Sequence, residues 1–175
     1  MIGKIKAIRN GNKLAKHVTN STKECINYMF LRGCNIGTRE TGFVLLEINA
    51  VYEFCFLSKL HPKTEFEYGL IHENSKEVIK DWLDEVWQNT FNDNDRNDYV
   101  NLVVDDIMPY YQNWSKEFNE QYSEYAGSSL ELVMQRAIEK FMVNFQSIYS
   151  EFECDYDKNN IYNIIIKDIQ KLILG

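Results

Sequence analysis

The chain has no Cys-x-x-Cys pair. Its four cysteines, Cys25, Cys34, Cys55 and Cys154, stand far apart in apolar or turn settings, which argues against a disulfide framework and against a zinc knuckle. Long apolar runs are missing too. The longest, Phe43 to Leu57, is broken by Glu47, Asn49 and Glu53. Each carboxylate would cost about 2.5 to 3.5 kcal/mol at a bilayer centre, so this segment reads as core and no membrane partner is expected. The opening MIGKIKAIRNGNK alternates apolar and basic residues and lacks a continuous apolar signal core, and a cytoplasmic protein is the expectation.

Catalytic signatures are equally sparse. No Glu-x-x-His pair occurs, which disfavours a di-iron carboxylate bundle. Gly33, Gly37 and Gly42 have neither Walker A spacing nor its lysine, and there is no GxGxxG. His17, His61 and His72 are not spaced with any cysteine as metal ligands or as a nucleophile pair. No catalytic residue, metal ligand or cofactor is therefore assigned. One enzymatic alternative stays open, a Mg-dependent all-α nucleotide pyrophosphohydrolase. Asp81, Asp84 and Glu85 lie one turn apart, and Asp105 and Asp106 follow on the next segment; face to face, such acids hold Mg2+. The apolar stripe of the first segment points away from them.

What is present is ordinary globular material. At 175 residues, 45% of them hydrophobic, one domain spanning 1–175 can bury about 70% of its unfolded surface without a staple. Charge is distributed unevenly. Residues 1–42, a basic N-terminal segment, hold eight Lys or Arg against two acids; residues 43–175 hold eleven against twenty-four. Such polarity suits either a basic arm for nucleic acid or an acidic face for a basic partner.

Helical patterns dominate. Capping boxes at Ser21 with Glu24, Asn74 with Glu77 and Ser128 with Glu131 predict helix starts. Val78, Ile79, Trp82, Leu83, Val86, Trp87 and Phe91 then form an amphipathic stripe, and a stronger one runs from Leu130 to Phe152. Between them, residues 98–125 have helical spacing interrupted by Pro109, where a kink or break near Met108 is expected, with Gly127 as a left-handed cap. Gly33 is expected to close the helix of STKECINYMFLRG, and the C-terminal NNIYNIIIKDIQKLILG reads as helix because its polar residues gather on one stripe. Residues 43–57 alternate apolar at every even position, as a hairpin would, yet their length and scattered polar residues favour a helix buried on every side. The fold class is thus mainly α, a helical bundle built on two stacked helical hairpins, with α+β and a small hairpin at 43–57 as the alternative.

One acidic phrase occurs twice. Aligning Asp93 with Asp155 matches Asp95 with Asp157, Asn97 with Asn159 and Asp106 with Asp168. Both copies resemble the start of a calcium loop, but the turn position holds Asp98 or Asn160 in place of glycine, and the bidentate acid is replaced by Val104 or Ile166. Helix capping explains the Asp and Asn content without a metal, whether the phrase arose by duplication or by convergence.

The expected function is a non-enzymatic protein-binding module, an inhibitor or immunity-type protein that captures a basic partner such as a nuclease or another nucleic-acid enzyme. Its contact surface would combine Asp93, Asp95, Asp98, Asp155 and Asp157 with Tyr110, Tyr111, Trp114, Tyr122 and Tyr125, since acids steer the encounter and exposed aromatics anchor it. The alternative is a nucleic-acid-binding regulator using Lys4, Lys6, Arg9, Lys13, Lys16, Lys23, Arg32 and Arg39. Against a helix-turn-helix, residues 40–58 contain no Lys or Arg.

Overall fold

A computed structural model describes residues 2–62, 64–123, 129–149 and 156–174. Among the described residues six helices follow one another: α1 (Ile2–Leu31), α2 (Thr38–Leu60), α3 (Glu65–Val86), α4 (Asp93–Gln121), α5 (Leu130–Tyr149) and α6 (Lys158–Leu174). The chain is a mainly α bundle, as its periodicity predicts. Among the described residues no helix is long and apolar enough to cross a membrane.

Helix α2 is the axis. Val44, Leu45, Leu46, Ile48, Ala50, Val51, Tyr52, Cys55 and Phe56 are all buried, because α1, α4, α5 and α6 each pack against it. A helix apolar all round must be enclosed, and that enclosure produces the even-numbered alternation that also suits a strand. The hairpin alternative for residues 43–57 is corrected accordingly. Helix α1 lies beside α2 and also contacts α3 and α6. The pairs α3–α4 and α5–α6 are the two helical hairpins, and α2 receives α4 from one and both helices of the other.

Two expected helix starts are helix interiors instead. Ser21 lies within α1, where its hydroxyl donates to Asp168 Oδ2 at 2.8 Å. Asn74 lies within α3, where its amide donates to the Ile8 carbonyl at 2.9 Å and to Asn12 Oδ1 of α1. Both side chains serve a neighbouring helix, not their own backbone. The true start of α3 follows the same rule in another register: Thr64 accepts from the Glu67 N–H at 3.1 Å. Ser128 and Gly127 lie outside the described residues; α5 is capped through Ser129 Oγ, which accepts from the Leu132 N–H at 3.3 Å.

Helix α4 continues through Pro109, so of the kink or break expected near Met108 no break occurs. Pro109 and Asp105, whose carbonyl loses its usual donor, are both exposed, so water can replace the missing bond. Gly33 ends α1 as expected, at φ +83, with the Cys34 N–H reaching back to the Met29 carbonyl at 3.0 Å. Cys34 is disulfide-bonded, a single bridge that the wide spacing of the cysteines did not suggest; Cys25 and Cys55 are free and buried.

Candidate partner-binding surface

The first acidic phrase begins α4. Asn92 is its cap, accepting from the Asp95 N–H at 2.9 Å while its amide donates to Asp95 Oδ2 at 2.8 Å. Asp93 pairs with Arg96 at 3.0 Å, and Asp93, Asp95 and Asp98 are all exposed. In the second phrase Asp157 is the cap of α6, accepting from the Asn159 N–H at 2.8 Å. Asp155 lies outside the described residues. The alignment therefore sets Asp95, in the first turn of α4, opposite Asp157, which stands before α6. The two phrases share capping chemistry but not capping register, as convergence would produce and a preserved duplicated hairpin would not.

The aromatic half of the expected surface is largely inside. Trp114 and Tyr111 are buried, and Tyr110 and Tyr122 are half-buried against the core. Tyr125 lies outside the described residues. Trp114 and Phe118 stack at 5.8 Å, with Phe54 of α2 5.3 Å from Trp114 and Phe118 4.9 Å from Tyr122. These rings form the α2–α4 seam. Their count alone suggested surplus at the surface; what sequence spacing did not reveal is the buried Glu47 carboxylate on α2, which takes up Tyr110 and Trp114.

Glu47, fully enclosed, accepts from Trp114 Nε1 at 3.1 Å, from Asn144 Nδ2 at 3.1 Å and from the Tyr110 hydroxyl. Burial raises its pKa, against the pull of those donors and of Lys140. Lys140 in turn sits 5.3 Å from the Trp114 ring centroid and 2.9 Å from Glu117, whose pKa this bond lowers. Two turns along α2, Glu53 accepts from Asn49 Nδ2 at 3.0 Å and lies 3.0 Å from His72 Nδ1 of α3. Each carboxylate is satisfied by fixed donors, an arrangement that ties α2 to α3, α4 and α5. The same residues that break the apolar run are thus the polar joints of the core.

A third polar chain joins α2, α1 and α6. The Tyr52 hydroxyl donates to Ser21 Oγ at 2.6 Å, Ser21 donates to Asp168, and His17 Nδ1 lies 3.1 Å from the other Asp168 oxygen. Burial pushes the Asp168 carboxyl up, but bonds from His17, Ser21 and Tyr52 outweigh it, and its pKa ends below the ordinary value. Ser21 is bonded to the carboxylate and not to the imidazole, so this is no nucleophile with its base.

The Mg2+ arrangement is not assembled. Asp84 lies 3.9 Å from Arg96 and Asp105 4.0 Å from Lys76, while Asp81 and Glu85 face solvent. Among the described residues no group of three or more His, Cys, Asp or Glu is placed to hold a metal ion.

An apolar groove of about 350 Å3 opens between the first turns of α2 and the first half of α4. Phe43, Leu46, Trp87, Tyr99, Leu102 and Val103 line it, and Arg39 and Asp106 stand at its rim. Gly42 forms its floor, where Val103 comes within 3.3 Å of the position a Cβ would take. Leu102 is 60% exposed and Tyr99 45%, whereas Trp87 and Leu46 are buried beneath. Phe91 stacks on Tyr99 at 4.6 Å and meets Trp87 edge-on at 6.2 Å, so an aromatic ladder stiffens one wall. Asp95 lies one helical turn before Tyr99, on the same side of α4, and Asp98 one turn before Leu102. Exposed apolar side chains and exposed acids meet here, not at residues 110–125. No protein-family model, no curated protein and no solved structure matches this chain.

Proposed function

We propose that this protein is a binding module for a basic protein partner, an inhibitor or immunity-type protein, and that the α2–α4 groove is where it engages that partner. The observation that supports this reading most directly is the coincidence of an open apolar groove, floored by Trp87 and Leu46, with the surplus acids of α4. Helices α3 and α4 together hold fourteen acids against four Lys or Arg. Acids at the rim accelerate the encounter with a positively charged surface, and an apolar side chain entering the groove supplies the affinity. Asp93, Asp95 and Asp98 keep the role the sequence suggested; Leu102, Tyr99 and Phe43 replace Tyr111 and Trp114 as anchors.

Trp87 makes the groove observable. Titration with an amphipathic Lys/Leu peptide is expected to change tryptophan emission at low salt, whereas a Glu/Leu peptide of the same pattern leaves it unchanged. Leu102→Glu and the double reversal Asp95→Lys with Asp106→Lys should each abolish the response. Equal responses to both peptides, or indifference to these substitutions, would overturn the reading. A pull-down eluted by rising salt, with the wild type and the reversal variant side by side, then identifies the partner.

A further inference from the structure

The basic residues gather on α1 and α6, which pack together. Helix α1 holds six Lys or Arg against the single acid Glu24, and α6 holds Lys158, Lys167 and Lys171 against Asp168 alone. On α1, the buried residues Ala7, Leu14, Ala15, Val18, Cys25 and Met29 define the inner face. Lys6, Arg9, Lys16 and Lys23 fall on the outer face at steps of three, seven and seven residues, a row about 25 Å long, while Lys13 is half-buried with its ammonium 5.9 Å from the Phe56 ring.

These cations are not spent on the protein's own acids. Arg96, Lys76, Arg136 and Lys140 all have carboxylate partners within 4.0 Å, although the acidic helices have acids to spare. Lys6, Arg9, Lys16 and Lys23 on α1 and Lys167 and Lys171 on α6 have no such partner among the described residues, and all six are exposed. Six exposed, unpaired cations gathered along one face concentrate positive potential there.

Between the two helices the surface is hollowed by a groove of about 330 Å3, lined by Glu24, Tyr28, Asn160, Asn163, Lys167, Asp168 and Lys171 among others. Polar donors fill it. The Tyr28 hydroxyl accepts from the Asp157 N–H at 2.9 Å and from Asn160 Nδ2 at 3.0 Å, and among the described residues it donates to none. Asp168 is held by His17 and Ser21, leaving Glu24 as the one carboxylate in the groove without such a neighbour.

We infer that the α1–α6 face binds the sugar-phosphate backbone of a nucleic-acid duplex, the α1 cations following one strand and Lys167 and Lys171 holding a phosphate over the groove. An extended row of unpaired cations suits an extended polyanion. An interfacial membrane helix would need an apolar face available to lipid, and that of α1 is buried in the core. None of the exposed large hydrophobic residues lies on the row between Lys6 and Lys23, which removes the stacking platform that single strands require. Binding is through phosphates and independent of base sequence. It uses a different face from the α2–α4 groove and stands or falls separately.

Fluorescence anisotropy of a labelled mixed-sequence duplex tests this with the full chain. Affinity should fall steeply with salt, and the slope of log K against log salt should lose about one unit for each of Lys6→Gln, Arg9→Gln and Lys16→Gln. Lys167→Gln with Lys171→Gln should weaken binding further, Glu24→Gln should strengthen it, and Lys116→Gln on exposed α4 should leave it unchanged. Circular dichroism confirms that these surface variants fold. No binding at low salt, binding unaltered in the α1 variants, or retention by phosphatidylserine vesicles in preference to the duplex would each overturn the inference.

Discussion

A Cβ added to Gly11 of α1 would come within 2.6 Å of the Ile71 carbonyl oxygen of α3. The two helices therefore cross at backbone distance, and Asn74 exploits this by donating to the Ile8 carbonyl one turn before Gly11. Gly11→Ala gains about 1 kcal/mol of helix propensity but forces the backbones apart, at a cost of about 1 to 3 kcal/mol, and net destabilisation is expected. Gly42 offers the contrast. Its nearest neighbour is a Val103 methyl at 3.3 Å, which can yield, so Gly42→Ala should leave stability equal or improved. Unfolding free energies of the two variants from urea melts should move in opposite directions or differ by about 1 kcal/mol or more.

Two carboxylates should give stability opposite dependences on pH. Asp168 titrates below its ordinary 3.8 in the folded protein, so its contribution is complete above that value and is lost as pH falls through the lower, folded one. Glu47 titrates above its ordinary 4.5 because of burial, so the folded protein holds a proton that the unfolded chain releases. Stability attributable to Glu47 therefore declines as pH rises from 4.5 through its folded pKa. Asp168→Asn should flatten the acid limb of a stability-pH curve, and Glu47→Gln should remove the decline above 4.5. Denaturant midpoints measured across pH check both.

The free thiols should be inert until the protein opens. Burial pushes Cys55 up to about 12 and raises Cys25 likewise, with Glu24 and Asp168 adding to the effect at Cys25. Iodoacetamide at pH 8 is expected to spare both in the native protein and to alkylate both in urea, as read by mass spectrometry. Rapid native labelling of either would contradict the packing around α2.

Much of the architecture is legible in the chain because helix stripes depend on local spacing. Val78, Ile79 and Leu83, or Ile161, Ile165 and Ile169, declare their buried side without reference to anything distant. Polar residues inside helices are harder. Ser21 and Asn74 have the spacing of caps, yet their partners, Asp168 and Ile8, are 147 and 66 positions away, and no local rule reaches that far. Aromatic abundance misleads for the same reason: Trp114 and Tyr110 find Glu47, 67 and 63 positions earlier. The surplus of rings at 109–125 is absorbed by a carboxylate that composition places in the core but cannot pair. The α2–α4 groove also escapes sequence reading, since Gly42, Leu102 and Trp87 come from three separate segments. The acidic phrases, by contrast, are transparent, because an N-cap needs only its own next turn.

The hydrogen-bonded chain from Tyr52 through Ser21 to Asp168 spans 147 positions between its last two members. Helical bundles usually assemble quickly because most of their contacts are local, but this link and the α1–α6 seam form only after a large loop has closed, and that closure entropy slows the late step. Cutting the link with Asp168→Asn would then raise the unfolding rate more than it lowers the folding rate, since a contact made after the barrier holds the door from the inside.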